Sequence, residues 1–239
     1  MWKSTVDEQV LHFGLIGVNN QNFIMTDRET GTWWQQVTGK AIEGPLKGRQ
    51  LEQMPFEQVT YQVWIDENPH SSVLESRPEF SDLYHSNVLE RGEDRDGEFM
   101  AFPVEADPDN PLDLGELLIA VQLPGVEKAY SKRTLREQNP ISDRVAGRDI
   151  LLVLAADDDS VRCFDRSLGE RTLELFRKPD TAGLRLVDAE TGSEWDFSGT
   201  AIAGPLVGQV LKRWPVYSDY WFDWKAFHPD SPVYTAGEF

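Results

Sequence analysis

Asp27-Arg28-Glu29-Thr30-Gly31-Thr32-Trp33-Trp34 opens a stretch that the chain repeats. It continues as Gly39-Lys40-Ala41-Ile42-Glu43-Gly44-Pro45-Leu46-Lys47-Gly48. Far downstream stand Asp188-Ala189-Glu190-Thr191-Gly192-Ser193-Glu194-Trp195 and Gly199-Thr200-Ala201-Ile202-Ala203-Gly204-Pro205-Leu206-Val207-Gly208. The offset is 161 from Trp34 to Trp195 and 160 from Gly39 to Gly199, so one residue is lost between. Leu51 and Leu211, Pro55 and Pro215, Trp64 and Trp224, Pro69 and Pro229, and Val73 and Val233 keep the second offset. A spacing held this long is an internal duplication. It predicts a mainly β protein of the α+β kind, in two tandem related halves of β-hairpins with short Trp-bearing helices packed on them. Pseudo-two-fold symmetry between the halves is expected. Residues 1–75 form the first repeat, 76–115 an acidic connector and 116–239 the second repeat, all in one compact unit.

The local signals follow from turn chemistry. In each copy an Asp carboxylate can accept turn N–H groups, and Gly31 or Gly192 suits a positive φ at the loop exit. Gly14 and Gly17 put a bend in the strand over residues 10–18. Thr60 caps a short helix with Tyr61, Trp64 and Ile65 on one face, and Pro69 stops it. In the second copy Ser218 or Asp219 caps, and Tyr220, Trp224 and Phe227 form the face. Short strands are expected at Val73 and Val233. Pro124-Gly125 joins two strands by a type II turn, and Ser131 caps a helix through Glu137. Phe99 to Val104 forms a strand in the connector. Asp94, Asp96 and Gly97 lack the full calcium-loop pattern and read as solvated loop.

The net charge of −18, with no cluster of Lys or Arg, excludes nucleic-acid binding as the main role. The excess acid reads as solubility. No apolar run approaches membrane-spanning length. No signal peptide follows Met1. The compartment stays open: cytoplasm, or periplasm for a longer native chain. Cys163 is the sole cysteine, which excludes an intrachain disulfide and a Cys-rich zinc site. It reads as buried and inert. The four histidines are not at metal-ligand spacing. The sequence specifies no metal, no cofactor and no oligomeric state.

The run from Thr32 to Gln36, then Gly39, Ala41 and Gly44-Pro45-Leu46-Lys47-Gly48, resembles the signature of a bacterial family, domain of unknown function 3179. Trp221 to Trp224, His228-Pro229 and Lys128-Ala129-Tyr130 resemble it too. The resemblance implies a bacterial source and brings no activity. It also implies a Cys-Pro-x-Cys-type segment upstream of residues 9–15, which this chain lacks. A shortened first repeat, or a longer native chain, is the expectation from that absence.

Candidate ligand-binding residues come from comparing the copies. Trp34 and Trp195 are equivalent, and two readings stand for them: core packing, or a stacking platform for a sugar. Trp33 faces Glu194 in the alignment and is the better exposed aromatic. Gln36 faces Phe197 and suggests a polar role kept in the first copy. Three function classes remain. The first is a non-catalytic binding or scaffold protein, with a small-molecule or glycan ligand at an aromatic surface or in the cleft between the repeats. The second is an enzyme with dispersed Asp and Glu as acid and base, for which a buried carboxylate pair in that cleft is the discriminating feature. The third is a metal or redox protein with ligands in a segment upstream of this chain.

Overall fold

A computed structural model describes residues 1–20, 22–75, 77–79, 112–113, 115–179, 181 and 183–236. Most of the connector lies outside the described residues, including the strand expected at Phe99 to Val104 and the loop of Asp94, Asp96 and Gly97. The described chain is mostly antiparallel β. β1 (Thr5–Val6) and β2 (Gln9–Val10) make a small hairpin. β3 (Phe13–Asn19), β4 (Asn22–Asp27), β5 (Trp33–Gln35) and β6 (Lys40–Glu43) form a four-stranded meander, with a bulge between Leu15 and Gly17. α1 (Tyr61–Glu67) follows.

The second half opens with β7 (Leu117–Leu123) and β8 (Val126–Ser131), paired across Pro124-Gly125, where Gly125 has φ +81°. α2 (Lys132–Gln138) starts on the Ser131 hydroxyl, which accepts the Thr134 N–H. β9 (Ile141–Val145), β10 (Arg148–Leu154) and β11 (Val161–Asp165) form a second sheet, and β12 (Ser167–Leu168) and β13 (Arg171–Thr172) a small hairpin. β14 (Leu175–Arg177), β15 (Leu186–Asp188), β16 (Glu194–Trp195) and β17 (Ala201–Ala203) repeat the meander order of β3 to β6. β18 (Arg213–Trp214) joins β11, β19 (Val216–Tyr220) joins β7, and α3 (Trp221–Phe227) ends the half.

One hydrogen-bond network recurs in both meanders. Asp27 accepts the Thr30 N–H at 2.6 Å, the Thr30 hydroxyl at 2.8 Å and the Trp34 indole N–H at 2.8 Å. Asp188 accepts the same groups of Thr191 and Trp195 at 2.6, 2.7 and 2.9 Å. The Thr32 and Ser193 hydroxyls then accept the N–H of Leu46 and Leu206, at 3.1 and 3.0 Å, tying the Gly-Pro-Leu turn to the hairpin. That turn needs glycine. A Cβ on Gly44 or Gly204 would stand 2.8 or 2.7 Å from the Cα of Thr32 or Ser193. The lost residue falls in the next turn. Gly39 N–H reaches back to Gln35 C=O, whereas Gly199 N–H reaches only to Asp196 C=O.

The halves differ in what surrounds this unit. The first half buries Trp34 with Val6, Leu11, Ala41 and Leu51, and the partly buried Trp2, Phe13, Met25 and Leu46 pack against them. In the second half Trp195 packs with Leu151, Val153 and Phe164 of β10 and β11, and a further core fills the space between β7–β8 and β9–β11. The helices differ as well. Thr60 caps α1 as expected, but no α1 residue is buried, and Trp64 is 47% exposed with its N–H on Ser71. α1 is therefore not packed on its sheet. α3 buries Trp221 and Trp224 against Leu118, Ala120 and Ala129. The expected Ser218 or Asp219 cap and the Tyr220–Trp224–Phe227 face are corrected here. Residues 218 and 219 stay in β19, so Tyr220 is the N-cap, without a side-chain bond, and the helix turns Trp221 inward. Val233 makes a single bridge to Ala129, and Val73 lies in no strand.

The hairpin carboxylates set the first prediction. Burial alone would raise Asp27 and Asp188, but the indole, hydroxyl and backbone donors outweigh it and hold both below 3.8. Each contributes stability above that value, and the contribution is lost as pH falls through the folded-state value. Asp27→Ala leaves two inward donors without an acceptor and should cost about 3 kcal/mol. Urea unfolding followed by tryptophan fluorescence measures it, and Asp188→Ala should behave alike.

Candidate functional site

The halves meet through polar side chains. After β6 the chain crosses the second half, and Glu57 and Glu67 close on the Arg162 guanidinium from β11. Arg162 donates to Glu57 at 3.1 and 2.8 Å, to Glu67 at 2.6 and 2.7 Å and to Phe197 C=O at 3.1 Å. A buried guanidinium needs all of these, because an unpaired charge away from water is costly. Glu57 also pairs with Arg213. Thr60 bonds Asp157 at 2.8 Å and Ser160 at 2.9 Å. Cys163 next to Arg162 is fully buried, and burial pushes its thiol up.

Beside this clasp a cleft of about 360 Å³ opens between the halves. The first half lines it with Asn22, Gln36, Gln53 and Gln58, and with the rings of Trp2 and Phe56. The second half supplies Gln122, Tyr217, Ser218 and Asp219. Gln58 accepts the Ser218 N–H at 2.6 Å, and Gln53 bonds Gln122. β19 places Tyr217 and Asp219 on one face by strand alternation. Asp223 follows in the first turn of α3, and Asn22 donates to one of its oxygens at 2.8 Å.

Partnerless buried atoms gather here. Among the described residues six buried side-chain N or O atoms lack a hydrogen-bond partner. Four of them belong to this neighbourhood: Tyr217 Oη, Asp223 Oδ1, Trp224 Nε1 and His228 Nε2. Native interiors satisfy nearly all such groups, with protein or water partners, so these four have hydrogen-bonding capacity left over. His228 is held by Glu127 through Nδ1 and stacks on Trp224, centroids 3.8 Å apart. Glu127 also accepts from Gln122 at 3.0 Å. Tyr217 meets the other edge of Trp224 at 5.7 Å.

The electrostatics follow from burial and crowding. Burial first, then the Asp223 charge, push Asp219 up to about 7, against the Tyr220 N–H and His228. Burial raises Asp223 too, although the Asn22 bond and His228 oppose it. Burial would raise Glu127, but the His228 and Gln122 contacts bring it below its usual value. Tyr217 is raised by burial and by the carboxylates around it. Among the described residues no group of three or more His, Cys, Asp or Glu is placed to hold a metal ion. No described helix is long and apolar enough to cross a membrane.

A family model described as protein of unknown function, DUF3179, matches residues 1–231. The chain belongs to that family. No curated protein and no solved structure matches it.

In this DUF3179 chain the four residues singled out from sequence lie apart. Gln36 is exposed on the cleft, and its C=O accepts the Trp2 indole N–H at 2.6 Å. Trp33 is 43% exposed but does not line the cleft. Trp34 and Trp195 are fully buried in separate cores, each indole N–H on its Asp, with no face open for stacking. That burial corrects the stacking alternative for these two. Asp219, Asp223, Tyr217, Glu127 and His228 were not read as site residues in the sequence. A signal for the two acids was present. At the 160-residue offset, Asp219 and Asp223 stand where the first copy has Val59 and Val63.

Asp219 gives the second prediction. Its ordinary value is 3.8, and the folded chain raises it to about 7. The protonated form therefore contributes stability that is complete below the unfolded value and gone once pH has risen through the folded one. Asp219→Asn, which cannot ionise, should unfold at higher urea than wild type at about pH 8, with the difference shrinking toward about pH 4.

Proposed function

We propose that this chain binds a small, uncharged, hydroxyl-rich ligand of the sugar class in the cleft between its halves. The observation that carries the reading is the lining itself: amides from both halves beside the buried Tyr217 hydroxyl, which lacks a partner. A side-chain amide offers both donor and acceptor, as a sugar hydroxyl does. Trp2, Phe56 and Tyr217 add apolar faces for the C–H side of a ring. No Lys or Arg side chain lines the cleft, and Asp219 does, so an anionic ligand would meet like charge once that carboxyl is ionised. A second reading, acid–base catalysis in the same cleft, is favoured by Asp219, the carboxyl that lines it.

A glycan array followed by isothermal titration of the retained sugars tests the binding reading. Gln36→Ala, at an exposed turn residue that lines the cleft, should weaken binding about tenfold, the loss of roughly one good hydrogen bond. Trp33→Ala, away from the cleft, should leave affinity unchanged. Retention of no sugar, or loss of binding in Trp33→Ala with Gln36→Ala intact, overturns the reading.

A further inference from the structure

We propose that the ligand is a chain of sugar units, which leaves the amide-lined cleft past Phe56 and lies along α1, where Trp64 stacks on one of its rings. The inference rests on the sugar-binding reading above and adds the length and path of the ligand.

The first observation is that the cleft does not end at its own walls. A larger one, of about 1160 Å³, adjoins it, and Met1 and Phe56 line both. The smaller space, about 360 Å³, is at the low end for a ligand pocket and suits one ring with its hydroxyls. The larger exceeds what one ring fills.

The second observation is that the two clefts occupy equivalent places in the duplication. Gln36 and Gln53 line the smaller one, and Phe197 and Arg213, their equivalents at offsets of 161 and 160, line the larger. The smaller cleft takes Tyr217 and Asp219 from the other half, and the larger takes Glu57 and Val59, which stand 160 positions earlier. Two equivalent places side by side suit a ligand that itself repeats. Their chemistry has diverged, with amides foremost in one and the rings of Phe56, Trp64 and Phe197 in the other. A sugar offers both a hydroxyl edge for amides and a C–H face for aromatic rings.

The third observation is Trp64 itself. Its equivalent, Trp224, is fully buried, whereas Trp64 is 47% exposed on a helix that buries none of its residues. The core therefore makes no use of the Trp64 ring. Its N–H rests on the Ser71 hydroxyl at 3.1 Å, which fixes the ring on the lining of the larger cleft. The polar groups there leave hydroxyls welcome. Glu57 and Glu67 are neutralised by Arg162. Arg185, half-buried on the lining, has no side-chain partner among the described residues, so its donors are free for a ligand.

The full chain is titrated calorimetrically with cello-, manno- and chito-oligosaccharides of one to six units. In a series that binds, affinity should rise about tenfold from the shortest sugar bound to one two units longer, the gain of roughly one aromatic contact. Trp64→Ala should remove that rise and leave the affinity for the shortest sugar unchanged, which also shows that the variant is folded. Gln36→Ala should weaken every length by the same factor. Equal affinity for the shortest sugar bound and for six units overturns the chain proposal and leaves the sugar-binding reading intact. A gain with length that Trp64→Ala leaves whole overturns the path along α1. No binding at any length in the three series overturns both readings.

Discussion

A buried carboxylate accepting an indole N–H is the interaction on which each half of this chain rests. A tryptophan brings the largest apolar surface to a core but also a donor that must be satisfied. Asp27 and Asp188 satisfy it, and with their remaining capacity they close the hairpin loop through Thr30 and Thr191. The adjoining hydroxyls extend the hold to the Gly-Pro-Leu turn. Loop, core and turn thus depend on one another. That mutual dependence explains why Asp-x-x-Thr-Gly-x-x-Trp stands complete in both copies while Trp33 has become Glu194 and Gln36 has become Phe197.

The same unit meets different needs in the two halves. The second copy sits on β10 and β11 and is part of a broad core. The first has a small core of its own and reaches the rest of the molecule through Arg162, Glu57, Glu67 and a set of amides. Polar contacts of this kind are directional. They hold where geometry matches and leave room where it does not, unlike an apolar interface that closes every gap. The cleft is such a room, and its walls keep the amide character of the contacts beside it.

Much of the fold was legible because its signals are local. The Asp-to-Gly loops, the Pro124-Gly125 turn and the Thr60 and Ser131 caps each depend on a few neighbouring residues. The start of α3 was misread because Ser218 and Asp219, good capping types, were drawn into β19 by pairing with Ile119 and Leu118. Long-range pairing overrode a local preference there. Of the site, only Gln36 was legible. Asn22 and Asp223 meet across 201 positions of sequence, a distance at which no spacing rule operates. The copy-to-copy contrast that singled out Trp33 and Gln36 would have reached Asp219 and Asp223 had it been carried past the Gly-Pro-Leu turn.

That contrast also separates the acids both copies carry from those only one carries. Asp27 and Asp188 are buried in both copies and surrounded by donors, and burial works in their favour only because every donor is in place. Asp219 and Asp223 occur in one copy, and one of their oxygens has no partner at all. α3 tolerates Asp223 because Trp221 and Trp224 anchor the helix to β7 and β8, and β19 holds Asp219 by its pairing with β7. A valine at either position would avoid the desolvation cost of a carboxylate, and the first copy has valine at both. The chain carries the costlier residue at both positions, at the end of β19 and in the first turn of α3, and the core beneath them absorbs that cost.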